Sequence, residues 1–202
     1  MIDPTKILAG AVAIYENIWD NLAEDIKFID TISSDQESLV YFEKAKIKSE
    51  EDGVIKGLEQ VRTNSTLSLK KSSQFNESLK NIDDKFNSIT KECLSSYRKI
   101  FDINEPFYYT EHNNLLKYTD SQYFRSHYDG DTGSKRSISL ILYLNDEYDG
   151  GEIEFVNFDI KIKPSAGSLF IFPSNYAYRH IAHPIKSGTK YAIVTWIHDR
   201  IQ

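Results

Sequence analysis

Ser137-Ile-Ser-Leu-Ile-Leu-Tyr-Leu144, Glu152-Ile-Glu-Phe155, Ile160-Lys-Ile162, Leu169-Phe-Ile-Phe172 and Tyr191-Ala-Ile-Val-Thr-Trp-Ile197 decide the fold. Each is a short run rich in β-branched and aromatic residues, the composition of a half-buried pleated surface. Asp129-Gly-Asp-Thr-Gly133, Asp149-Gly-Gly151 and Ser165-Ala-Gly167 lie between or just before these runs, where the chain must turn. Many short strands separated by Gly-rich turns imply an antiparallel sandwich or barrel, and a jelly roll is one way to close it.

Upstream the pattern changes. Ile18, Leu22, Ile26 and Ile29 recur at helical spacing, so about residues 18–32 read as an amphipathic helix. Leu79, Ile82, Phe86, Ile89, Cys93, Tyr97 and Ile100 continue the same steps over a longer stretch, giving a helix with one apolar face that needs a sheet or another helix to cover it. Residues 48–78, rich in Ser, Lys, Glu, Asn and Gln, read as mostly surface loop with short extended pieces near Val61 and Leu67. Lys70 and Lys71 there read as a solvated face. Ile7–Tyr15 reads as a buried first strand, because the single Lys6 is offset by Asp3 and makes a poor signal-peptide flank.

The chain has 202 residues, 40% of them hydrophobic, which is the size and composition of one globular domain. The expected fold class is α+β: a helical N-terminal portion over about 1–110 and a jelly-roll core over about 111–202. The net charge of −6 disfavours nucleic acid, whose binding rests on neutralising phosphates. No apolar run approaches a membrane span, and a cytoplasmic protein is expected. The lone Cys93 excludes an intramolecular disulfide and a thiolate cluster, so any metal must be held by imidazole and carboxylate.

His127 and Asp129 stand two apart in or at the end of a probable strand Tyr123–Tyr128. Residues at i and i+2 of a strand point to one face, so both can reach one ion. His180 supplies a third ligand if a later strand crosses beside the first. Two imidazoles and a carboxylate leave three open coordination positions, the pattern of non-haem Fe(II) oxygenases. Ten residues on, Lys190 shares a strand face with Ala192, Val194, Trp196 and His198. An inward ammonium requires an anionic partner, either a protein acid or the far carboxylate of 2-oxoglutarate.

Leu116-Lys-Tyr118, Phe124-Arg-Ser-His127-Tyr-Asp129, Arg136, Tyr143-Leu-Asn145, Gly150-Gly-Glu152, Lys163-Pro-Ser-Ala-Gly167, His180-Ile-Ala-His-Pro184, Lys190 and Trp196 follow one another in order. Over about residues 115–199 this set resembles the prolyl 4-hydroxylase branch of the 2-oxoglutarate oxygenases. The resemblance implies a double-stranded β-helix with N-terminal helices packed on the outer sheet. It implies Fe(II) on His127, Asp129 and His180, and 2-oxoglutarate anchored by Lys190 with Tyr143, Tyr118 and Trp196 around it. Dioxygen is the oxidant, 2-oxoglutarate is decarboxylated to succinate, and ascorbate is admitted as an accessory reductant.

The implied partner is a proline-containing protein or peptide, met by Arg136 and His198. Another protein side chain or a small molecule are the alternatives, and a non-catalytic jelly-roll binding module is the rival from another class. Ile153 departs from collagen-type members, which often carry threonine there, and shifts the expected hydroxyl contact onto Tyr143. His183 is expected to be a neighbour of the site, His112 has no assignable role, and Asp129–Lys135 is expected to form a lid.

Overall fold

The computed structural model describes residues 2–34, 42–45, 61–107, 109–130 and 135–199. Strands β1 (Lys6–Leu8) and β2 (Val12–Tyr15) open the chain, followed by helix α1 (Leu22–Ser34). Then come β3 (Glu43–Lys44), β4 (Ser65–Ser68), the single turn α2 (Leu69–Ser72) and the long helix α3 (Glu77–Ile100). Apart from two 3-10 turns (Val156–Phe158 and Tyr176–Tyr178), the regular elements that follow are strands: β5 (Tyr109–Thr110), β6 (Asn114–Tyr118), β7 (Phe124–His127), β8 (Arg136–Tyr143), β9 (Asp149–Gly150) and β10 (Ile153–Phe155). β11 (Ile160–Ile162), β12 (Ser168–Pro173), β13 (His180–Ala182), β14 (Ile185–Ser187) and β15 (Lys190–His198) complete it.

The strands form a large sheet in the order β1-β2-β12-β8-β15-β6-β4-β3, with β5 also on β15, a smaller sheet β11-β10-β13-β7, and the pair β14-β9. Period-two alternation divides the large sheet into two faces. Ile138, Leu140 and Leu142 of β8, with Tyr191, Ile193 and Ile197 of β15, face α3 and pack with its Leu79, Ile82, Phe86, Cys93 and Tyr97. Tyr143 and Ala192 point the other way, into a second cluster with Ile153, Phe155 and Phe172.

α3 begins where the Asn76 side chain accepts from Leu79 N–H, and its apolar stripe lies flat on the sheet. The Tyr15 hydroxyl donates to the Cys93 carbonyl at 3.0 Å, and that of Tyr97 to the Ala11 carbonyl at 2.9 Å, fixing the helix to the first strands. Cys93 is a fully buried core residue, as expected.

Four expectations change. Ile7–Tyr15 is a hairpin rather than one strand, because Ala9 and Gly10 adopt positive φ and turn the chain. The first helix starts at Leu22, since Asn17 and Asn21 lie in the left-handed region and interrupt helical backbone before it. The first 110 residues are not simply helical: β1 to β5 all pair into the large sheet. In the stretch expected to be mostly loop, Leu69–Ser72 forms α2; the extended pieces expected near Val61 and Leu67 are present, as an Arg62 bridge to Phe124 and as β4, while residues 46–60 lie outside the described residues. Among the described residues, no helix is long and apolar enough to cross a membrane.

Because Phe86 is fully buried between α3 and the sheet, Phe86→Ala leaves a cavity costing about 3–5 kcal/mol. Urea denaturation followed by circular dichroism measures this loss; a change under about 1 kcal/mol contradicts the packing described.

Candidate metal centre and cavity

β13 pairs with β7 in a register that sets His180 opposite His127, with ring centroids 4.3 Å apart. Each imidazole is oriented by its own chain. His127 Nδ1 lies 2.8 Å from the Arg125 carbonyl, and His180 Nδ1 lies 3.1 Å from that of Tyr178. A carbonyl only accepts, so each Nδ1 carries its ring proton and each Nε2 presents a lone pair. Asp129 faces both: Oδ1 is 3.6 Å from His127 Nε2, and Oδ2 is 3.9 Å from His180 Nε2. The ligand atoms of the three residues lie within 4.8 Å of one another. β7 ends at His127, so Asp129 lies just beyond the strand, yet it reaches the same point as the i, i+2 reading requires.

The electrostatics suit a cation. Burial, with His127 alongside, pulls the His180 pKa from 6.5 down to about 4, so the ring is neutral at pH 7. Burial pushes the Asp129 carboxyl up, but contact with His127, the charge of the two imidazoles and the Ser139 hydroxyl outweigh it and hold it low. A positive charge among the three groups, whether a proton on an imidazole or a metal ion, is what this carboxylate requires. Two imidazole nitrogens, one carboxylate oxygen and outer hydrogen bonds that fix the rings match the donor set for Fe(II).

The triad borders a cavity of about 540 Å³ counting its mouth, which also reaches Tyr118, Tyr143, Ile153, Lys190 and Trp196. Lys190 is only 2% exposed, and its Nζ donates to the Gly151 carbonyl at 2.7 Å. Among the described residues it forms no ion pair with an acid, so the internal salt bridge considered from sequence is not observed. The Tyr143, Tyr118 and Tyr148 rings surround the ammonium at 5.0, 5.4 and 5.9 Å. Burial, helped by the nearby Lys163 charge, pulls the Lys190 pKa from 10.5 down to about 7. Ile153 is buried in the wall without a hydroxyl, as its identity demands.

Arg136 and His198 do come together, around a residue that sequence reasoning did not single out. Arg136 grips Glu111 with two hydrogen bonds, Nε to Oε1 at 2.6 Å and Nη2 to Oε2 at 2.7 Å. His198 Nε2 lies 2.8 Å from the same Oε1. The Arg136 guanidinium stacks 3.7 Å over the Trp196 ring, so it is neither a lone surface arginine nor a freely extended one. The pairing of β15 with β8 slips between Ile197 and His198, and His198 is not among the residues that line the cavity with Lys190, Ala192, Val194 and Trp196. Burial pushes the Glu111 carboxyl up, but its contacts with Arg136 first and His198 second outweigh this and hold it below the usual carboxylate range.

Arg62 also lines the cavity, 4.8 Å over the Phe124 ring, and nothing in its local sequence marks it. His183 is bound to Glu154 at 2.6 Å, and His112 contacts Lys70 at 3.3 Å; both stand apart from the triad. Residues 131–134 of the expected lid lie outside the described residues.

Residues 113–198 match the family model of the 2OG-Fe(II) oxygenase superfamily. A putative prolyl 4-hydroxylase of Acanthamoeba polyphaga mimivirus is 27% identical over 117 residues, 48% of this chain and 48% of its own. The chain thus spans about half the length of that curated relative. A viral collagen prolyl hydroxylase from Paramecium bursaria Chlorella virus-1, solved with 2OG, superposes with TM-score 0.63 at 22% identity, covering 93% of this chain and 95% of the other. A Trichoplax adhaerens prolyl hydroxylase, solved with a hypoxia inducible factor oxygen degradation domain peptide fragment, gives TM-score 0.69 at 16% identity, covering 95% and 84%. The structural likenesses establish the fold.

An anionic ligand that pairs with Lys190 restores its charged form. Above about pH 7 the empty protein must therefore take up a proton to bind one, and affinity weakens as pH rises. Calorimetric titration with 2-oxoglutarate, at pH 6 to 9 and in buffers of different ionisation enthalpy, should show proton uptake and a Kd rising toward about tenfold per unit above neutrality. A Kd flat across that range contradicts the assignment.

Proposed function

We propose that the chain is a 2OG-Fe(II) oxygenase, the superfamily whose model its residues 113–198 match, and that it hydroxylates a peptidyl proline in the manner of prolyl 4-hydroxylases, with 2-oxoglutarate as co-substrate. The observation that carries the reading is one cavity joining a two-histidine, one-aspartate triad to a buried lysine with no acidic partner among the described residues.

His127, Asp129 and His180 would hold Fe(II). When bound, the iron supplies the dioxygen activation that couples oxidative decarboxylation of 2-oxoglutarate, to succinate and carbon dioxide, with insertion of one oxygen atom into a substrate C–H bond. Asp129 fills a position that halogenating relatives leave open for halide.

The protein's own part is to bind, orient and exclude water. Lys190 takes the far carboxylate of 2-oxoglutarate, exchanging a carbonyl contact for a charge-assisted one in a dry site. Tyr143 and Tyr118 flank that carboxylate, and Ile153, Ala192 and Val194 give the cavity apolar walls. Trp196 closes one side beneath the Arg136 guanidinium. Arg136 and His198, oriented as one unit by Glu111, are assigned to the substrate side. Support for a peptide comes from the name of the mimivirus relative and from the peptide bound to the Trichoplax enzyme.

The test is mass spectrometry of a proline-containing peptide panel with Fe(II) and 2-oxoglutarate, with succinate measured in parallel. One oxygen should be added to proline, and Lys190→Ala should raise the 2-oxoglutarate Kd by about 10- to 100-fold, the loss of a hydrogen bond to a charged group. Oxygen found only on other residues removes the prolyl assignment and leaves the oxygenase. Neither oxygen nor succinate leaves a jelly-roll binding module.

A further inference from the structure

We propose that Ser139 and Ser174 form a clamp that orients Asp129 for single-oxygen ligation of the metal; this rests on the metal-centre reading above. Ser139 lies in β8 and Ser174 one residue past β12, adjacent strands of the large sheet, and both side chains are essentially fully buried. Neither stands near Asp129 in sequence.

The direction of each hydrogen bond follows from chemistry. Ser139 Oγ lies 2.6 Å from Asp129 Oδ2, and an ionised carboxylate only accepts, so the single Ser139 proton points at Asp129. Ser139 Oγ is also 2.7 Å from Ser174 Oγ. With its proton already committed, Ser139 must accept there, and Ser174 must donate. The result is a one-way chain, Ser174 to Ser139 to Asp129, in which each bond polarises the next.

Ser174 also acts through its backbone. Its carbonyl accepts from Gly130 N–H at 2.8 Å, one residue beyond Asp129. A Cβ on Gly130 would lie 2.7 Å from the Arg136 carbonyl oxygen and 3.1 Å from that of Ser174, so the main chain seats here only with glycine. One residue therefore anchors Asp129 twice: its main chain directly, and its carboxylate through Ser139. Both anchors hang on the large sheet, whereas the two histidines belong to the small one. The clamp ties Asp129, which follows β7, to the large sheet and so sets where its carboxylate meets the two histidines.

With Oδ2 engaged by Ser139, Oδ1 remains, on the side of His127 Nε2. An aspartate ligating through one oxygen keeps the third open position that a chelating co-substrate and dioxygen together need. Ser139 and Ser174 are positioning residues in this account, since neither is assigned to touch the metal.

Mn(II) serves as a redox-inert probe in titrations of the metal-free chain, followed by calorimetry, with metal-free melting temperatures recorded beside them. Ser139→Ala should raise the Mn(II) Kd by about 10- to 100-fold, as the loss of an outer partner does elsewhere. Ser139→Thr, which keeps the hydroxyl, should restore it to within a few-fold, and Ser174→Ala should fall between the two. A Ser139→Ala Kd within twofold of the parent, beside a lost one in His180→Ala, overturns the clamp alone. Failure of the parent chain itself to take up Mn(II) overturns the metal site and the clamp with it. A loss in Ser139→Ala that Thr does not rescue, with melting temperature falling in step, assigns Ser139 to packing and also overturns the clamp.

Discussion

The antiparallel pairing of β7 with β13, which sets His127 against His180, is the constraint on which the rest of the site depends. A slip of one residue would turn one imidazole to the opposite face of the small sheet, because side chains alternate with a period of two. The Nδ1 contacts to Arg125 and Tyr178 then convert backbone register into ring orientation. A short strand suffices for this, since the carbonyl used lies two residues back in the same chain. The third ligand, Asp129, follows β7 directly and is held from the large sheet by the Ser139 hydroxyl, and α3 backs that sheet through Phe86 and Tyr97.

A second constraint is charge. Lys190 is held in a dry wall among three tyrosine rings with a peptide carbonyl as its acceptor, an arrangement that disfavours its ammonium form. The triad, in contrast, has a carboxylate held ionised that calls for positive charge. The protein's own groups thus leave charge to be balanced at both ends of the cavity. A metal cation at one end and a dicarboxylate reaching the other complete it together, which gives a physical reason for the two to bind in one chamber.

Much of this was legible in the residues, and the legible parts were periodic. α3 is legible through an unbroken apolar stripe and β15 through alternation, which puts Lys190 on one face with Ala192, Val194 and Trp196, whereas Tyr143 is placed at the cavity only by the family resemblance. His127 and Asp129 were legible because their spacing is local. The hairpin at Ala9–Gly10 was not, because an apolar run conceals a turn made by one glycine. Nor was the late start of α1, which two asparagines in left-handed backbone decide.

The other omissions share one cause. Glu111 meets Arg136 and His198, Ser174 meets Ser139, and Tyr148 meets Lys190 through contacts between distant parts of the chain, where no period links the partners. Arg136 and His198 could be assigned to the mouth of the site, but the acid that binds them could not.

The most direct test of the central claim, that His127, Asp129 and His180 hold Fe(II) in one chamber with 2-oxoglutarate, is an anaerobic visible spectrum. Fe(II) and 2-oxoglutarate added to the intact chain should produce a charge-transfer band that neither gives alone and that disappears in His180→Ala. A band that persists unchanged in that variant, or no band in the intact chain, contradicts the account.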